Sequence, residues 1–155
     1  MSRPLRIMVT GTRMMGVCRC PDGVTSCGVE RVAWSQMDSA LWRLRNEAIS
    51  HGDSIELLHG AAEGADSLAA EYWETYRLGP VRAFPANWEA LGRRAGGVRN
   101  GLMVAMMPDL VMGFPWVKRS RGTYDALRQA RQAGLTVRTF PVVQVCPRYE
   151  ATVDF

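Results

Sequence analysis

Short β-prone apolar segments alternate with longer stretches of helical periodicity, and this alternation constrains the chain more than any other feature. The segments fall at residues 5–10, 55–59, 81–84, 110–114 and 135–140. Helical patterns lie between them at 32–49, 66–77 and 121–133, with a weaker one between 88 and 107 interrupted by Gly96-Gly97. Strands separated by helices cannot form tight hairpins. They pair in parallel, and the helices cover the faces. The expected fold is α/β: a doubly wound, mostly parallel sheet of five or more strands with helices on both faces. In the first helix Val32, Met37, Leu41, Leu44 and Ile49 form the apolar side, while Arg43, Arg45 and Glu47 form the polar one.

The 155 residues suffice for one domain with one complete core, and no repeat divides them. Two stretches break the pattern. Residues 14–30 lose periodicity and collect Gly, Pro, Asp and three cysteines, which reads as an irregular insertion. Residues 141–155 carry only a weak β pattern, and Pro141 and Pro147 argue against a central strand there. No run approaches the roughly 20 apolar residues of a bilayer span, so no membrane partner is expected. The segment Met1-Ser2-Arg3-Pro4-Leu5-Arg6 has no secretory core, and the expected compartment is the cytoplasm. The net charge of +4 comes from 19 Lys and Arg against 15 Asp and Glu, and Lys118 is the sole lysine. The charge is spread along the chain without interleaved aromatics, which counts against nucleic acid as a partner. Arginine's planar fork nevertheless suits phosphate on a small ligand.

Ligands of such sheets bind beyond the carboxyl ends of the strands. Gly11, Thr12 and Arg13 follow the first segment, and Gly60, Ala61, Ala62, Glu63, Gly64, Ala65 and Asp66 follow the second. Glycines at a strand-to-helix turn let backbone amides face a phosphate, although the spacing is neither GxGxxG nor a Walker sequence. A tight turn accounts for the same residues, and Asp66 suits either a helix cap or a ribose contact. Ser120, Gly122 and Thr123 repeat the pattern after the fourth segment. Arg99 suits a phosphate clamp or a solvated surface, and Asn100 a loop tie, a ribose contact or a cap. Trp88 suits base stacking or an apolar lid. Met103, Met106, Met107 and Met112 read as filling for a core or a subunit interface. Cys18, Cys20 and Cys27, joined by Cys146, His51 or His59, are a candidate zinc set, with free thiols as the alternative.

In this order, Met8-Val9-Thr10-Gly11-Thr12-Arg13, His59-Gly60-Ala61-Ala62-Glu63-Gly64-Ala65-Asp66, Phe84-Pro85-Ala86-Asn87-Trp88, Arg99-Asn100-Gly101-Leu102-Met103, Pro108-Asp109, Phe114-Pro115 and Ser120-Arg121-Gly122-Thr123 resemble the YspA-type branch of the SLOG superfamily. The resemblance covers residues 5 to about 140. It implies a Rossmann-like fold, bacterial or phage occurrence, and a nucleotide or nucleotide-derived ligand. By the same resemblance Gly11, Thr12 and Arg13 line the pocket, Gly60 through Asp66 cradle phosphate or ribose, Arg99-Asn100 form the family's Arg-Asn pair, and Gly122-Thr123 hold phosphate. Related phosphoribohydrolases are usually dimers, which implies a homodimer or higher homo-oligomer. Their PGGxGTxxE motif places Glu three residues after Thr, where this chain has Ala126, with Asp125 one position earlier. The Cys18–Cys27 stretch is foreign to the family pattern and reads as an insertion at the pocket rim.

Three functions compete. The first is a nucleotide-binding sensor or sequestering module. The second is an N-glycosidic hydrolase of nucleoside monophosphates or ADP-ribose derivatives, with Asp125 or Glu63 at the ribosyl centre and Arg99 and Arg13 on phosphate. The third is a DNA-associated module, which predicts steep salt dependence.

Overall fold

The computed structural model describes residues 3–22 and 26–152. Strand β1 (Leu5–Gly11) lies at the centre of the sheet because its side chains are apolar toward both faces: Ile7 and Val9 enter one core and Met8 the other, all fully buried. It pairs in parallel with β2 (Ile55–His59) on one side and β4 (Leu110–Phe114) on the other. With β3 (Val81–Ala83) and β5 (Val137–Thr139), the sheet has the order β3-β2-β1-β4-β5, parallel throughout. The chain winds outward from β1 to β3, then returns to the opposite side of β1 for β4 and β5. The order therefore reverses between β1 and β4.

Helices α1 (Val29–His51) and α2 (Ala65–Tyr76) cover one face with Val29, Ala33, Met37, Leu41, Ala69, Tyr72 and Trp73. Helices α4 (Ala95–Ala105) and α5 (Arg121–Gln132) cover the other with Met103, Val104, Ala126, Leu127 and Ala130. A short α3 (Trp88–Leu91) and a 3-10 turn (Gly92–Arg94) lead into α4. The doubly wound α/β fold expected from the alternation is the one observed.

Local details differ from the periodicity. Helix α1 begins right after Gly28, in left-handed conformation, and its buried line runs through Val29, Ala33, Met37, Leu41 and Ala48, which leaves Ile49 56% exposed. Gly96 and Gly97 do not interrupt a helix; they occupy the first turn of α4, continuous with the preceding 3-10 turn. Packing outweighs propensity here. A Cβ on Gly96 would lie 3.3 Å from the Trp88 ring, so the missing side chain gives that ring its seat. Strands β3 and β5 are three residues each, shorter than their apolar runs. The described C-terminal residues form no strand: Val142, Val145, Cys146 and Tyr149 enter the larger core, the last in a short α6 (Pro147–Glu150). Of the methionines read as filling, Met103 and Met112 are buried, whereas Met107 is exposed. From the 14–30 stretch, Met14 and Met15 are core residues, and 23–25 lie outside the described residues.

Candidate functional site

The turns after β1 and β2 are locked together by the start of α2. Thr12 donates its N–H to the Phe114 carbonyl (2.9 Å), and its own carbonyl accepts the first free amide of α2, from Ala65 (3.1 Å). The Thr12 hydroxyl oxygen accepts from the Met14 N–H (3.3 Å). Gly64 has φ 83 and ψ −127, which a side-chain-bearing residue rarely adopts, and a Cβ there would collide with the Thr12 and Arg13 backbone. Gly11 is equally hemmed in: its Cβ would stand 2.5 Å from that of Ala65 and 2.8 Å from the Phe114 carbonyl oxygen.

Beneath the loop, Asp66 is buried and one oxygen accepts from Gly60 N–H (3.0 Å) and Ala62 N–H (3.3 Å). Burial raises its pKa to about 6, against the opposing pull of the Ala62 amide, Arg99, the Gly60 amide and Arg13. Asp66 is thus a loop tie in this structure. Arg99, half-buried on α4, donates to the Gly60 carbonyl and to Asn100 Oδ1 (3.0 Å). Its pKa is lowered by burial, opposed by Asp66, and lowered further by Arg13. Ala61 holds φ 58, and its N–H donates to His59 Nδ1 (3.0 Å). That bond requires an unprotonated Nδ1, and burial together with Arg99 depresses the His59 pKa in the same sense.

Arg13, Gly60, Ala61, Ala62, Glu63, Pro85, Ala86, Trp88 and Arg99 surround a cavity of about 350 Å³. Trp88 is half exposed, on a short helix whose first turn is capped by Asn87 Oδ1 accepting from Ala90 N–H (3.0 Å). The Arg13 guanidinium carbon lies 6.0 Å from the Trp88 ring centre, and Arg13 has no hydrogen-bond acceptor among the described residues. The cavity therefore holds an uncommitted guanidinium, a second one partly committed to a carbonyl, and an exposed aromatic face. Two like charges brought together in a concave site favour an anion between them.

The other sequence-derived residues lie apart from this lining. Gly11, Thr12, Gly64 and Asp66 support it from below. Asn100 is buried and donates to the Gly122 carbonyl (3.3 Å) and Asp125 Oδ2 (3.1 Å), tying α4 to the start of α5. Asp125 also accepts from Gln129 (2.9 Å) and Arg128 (2.5 Å). Burial opposes its ionisation, but bonds from Asn100, Gln129 and Arg128 prevail and lower its pKa. Ser120 Oγ accepts from Trp116 N–H (2.7 Å) and donates to the Trp116 carbonyl (3.1 Å), closing its own turn. Thr123 is buried, and a Cβ on Gly122 would meet only open space.

The Sγ atoms of Cys18, Cys20, Cys27 and Cys146 all lie within 4.8 Å of one another, an arrangement able to hold a metal ion. His51 and His59 are not among that group: His51 Nδ1 contacts the Glu47 carbonyl (2.8 Å), and His59 serves the loop above. Two residues that local spacing did not single out join this cluster to the cavity. Arg19 pairs with Glu63 Oε2 at 2.7 Å, and the Tyr149 hydroxyl donates to Glu63 Oε1. The 86 positions between Glu63 and Tyr149 hide that contact from any local pattern.

Fold and site together define a doubly wound parallel α/β domain with an arginine-lined crevice at the carboxyl ends of β1 and β2. No protein-family model matches the chain, and no solved structure matches it. The chain is similar to the Gene 61 protein of Mycobacterium phage D29, 29% identical over 139 residues that span 87% of this chain and 95% of that protein.

Proposed function

We propose that this protein binds a nucleotide or nucleotide-derived small molecule as a sensor or sequestering module, the function its resemblance to the YspA-type SLOG branch implies. The observation that carries the reading is the convergence of Arg13 and Arg99 on a cavity floored by the Gly60–Glu63 turn, with Trp88 exposed at its edge. Arg13 and Arg99 take phosphate, and the Trp88 ring takes the base by stacking. Binding without turnover is favoured over N-glycosidic hydrolysis by the state of the carboxylates. Both Glu63 oxygens are engaged, by Arg19 and Tyr149, and Asp125 is held by three side chains outside the cavity lining. Zinc is the metal assigned to the four thiols, in a structural role, because four thiolates complete a tetrahedral shell and leave no position open to substrate.

Backbone amide spectra test the assignment. Millimolar AMP, ADP or ADP-ribose is expected to shift the signals of Ala61, Ala62 and Gly64, with no free base released on prolonged incubation. Unmoved signals with all three ligands contradict binding, and liberated base that disappears in Glu63→Ala or Asp125→Ala restores the hydrolase.

A further inference from the structure

The four-cysteine cluster has the dimensions of a metal shell. A tetrahedral zinc–thiolate centre with bonds of about 2.3 Å places its sulfurs roughly 3.8 Å apart. Here Cys18 and Cys27 are 3.7 Å apart and Cys20 and Cys146 are 3.9 Å apart, with every pair inside 4.8 Å. These are not two isolated thiol pairs but one mutual set. The set draws together chain segments 126 positions apart, between Cys20 and Cys146. Arg19 N–H donates to Cys146 Sγ at 3.3 Å, as amides do to thiolates held on a metal.

The neighbours of the ligands reach the crevice. Arg19, between Cys18 and Cys20, grips Glu63 Oε2, and its guanidinium lies 4.8 Å from the Tyr149 ring centre. Tyr149, three residues beyond Cys146, donates to the other oxygen of Glu63. Glu63 itself lines the cavity of Arg13 and Arg99. A carboxylate in that position competes with a phosphate for both guanidiniums unless its charge is occupied elsewhere.

Resting on the nucleotide-binding reading, we propose that zinc held by Cys18, Cys20, Cys27 and Cys146 promotes anion binding in the crevice by fixing Arg19 and Tyr149 on Glu63. Without the ion, the Arg19 N–H bond to Cys146 Sγ and weak thiol contacts are left to join the two segments at the cysteines, in place of four metal–sulfur bonds. Arg19 and Tyr149 then release Glu63, whose charge turns toward Arg13 and Arg99. Linkage makes the effect reciprocal: an anion in the crevice tightens zinc by the same factor as zinc tightens the anion.

The test compares zinc-loaded and chelator-treated full-length protein, and Glu63→Gln in both forms, by native mass spectrometry, amide hydrogen exchange and AMP titration. One zinc per chain and four thiols shielded from alkylation are expected. Chelation is expected to speed exchange of the Ala61–Gly64 amides and weaken AMP about tenfold, within the usual span of coupling between sites. Glu63→Gln removes the competing charge, so its AMP affinity changes less than about twofold on chelation, and the loaded variant binds AMP at least as tightly as the wild type. No zinc uptake, or a four-hydrogen mass deficit from two disulfides, overturns the site. Zinc uptake with unchanged exchange and unchanged AMP affinity overturns the link, as does weakened AMP binding by loaded Glu63→Gln, a readout that holds even if chelation unfolds the protein. If AMP binds neither form, the nucleotide reading fails and the exchange rates alone decide the clamp.

Discussion

Asp66, buried beneath the loop after β2, ties pH to stability. Its folded pKa, about 6, lies above that of an unfolded aspartate, so the stability it contributes is fully present below the unfolded value and is lost as pH rises through the folded one. Asparagine keeps an oxygen for the Gly60 and Ala62 amides but carries no charge. Relative to Asp66→Asn, the wild type is therefore expected to lose about 2–3 kcal/mol of unfolding free energy between pH 4 and pH 7. Urea titrations of both proteins at these pH values measure the difference. A gap that stays constant with pH contradicts the burial argument. Asp66→Ala, by contrast, leaves two loop amides without an acceptor and is expected to cost about 1–3 kcal/mol at neutral pH.

Among the elements, the contact between the end of β1 and the start of α2 sets the geometry of the crevice. Gly11 is boxed in by Ala65 and Phe114, so Gly11→Ala forces the turn after β1 and α2 apart. The expected cost is about 1–3 kcal/mol, seen as a lower urea midpoint with an unchanged slope. A midpoint equal to the wild type's means that the turn has slack. These elements were largely legible from the chain, because β1 ends in a glycine, β2 just before one and β4 just before Pro115, and each long helix carries an apolar line. Illegible features depended on packing between distant segments. Gly96 and Gly97 look like a break until Trp88 is seen above Gly96, and residues 142–149 show no period because scattered side chains, not a strand face, enter the core. The candidate site divides in the same way. Arg13, Gly60, Ala61 and Trp88 follow from the rule that ligands sit past strand ends and Arg99 from its place after a glycine pair and in the Arg-Asn pair, whereas the Arg19–Glu63–Tyr149 junction arises from tertiary closure.

Across the whole molecule, the sheet order gathers the turns after β1 and β2 beside the segment after β3, while α4 brings Arg99 beneath them. The two guanidiniums thus come from the turn after the central strand and from a helix that covers one face, and they meet at the sheet's carboxyl edge. Binding therefore depends on the assembled fold. Calorimetric titration of AMP into the wild type, Arg13→Ala and Arg99→Ala tests this most directly. Each arginine's charged hydrogen bonds to phosphate are worth about 1.5–3 kcal/mol, so each variant is expected to bind roughly 10- to 150-fold more weakly than the wild type. Arg13, with no acceptor of its own among the described residues, is expected to show the loss without a change in unfolding midpoint. Wild-type affinity in Arg13→Ala contradicts the assignment of this crevice as the phosphate site.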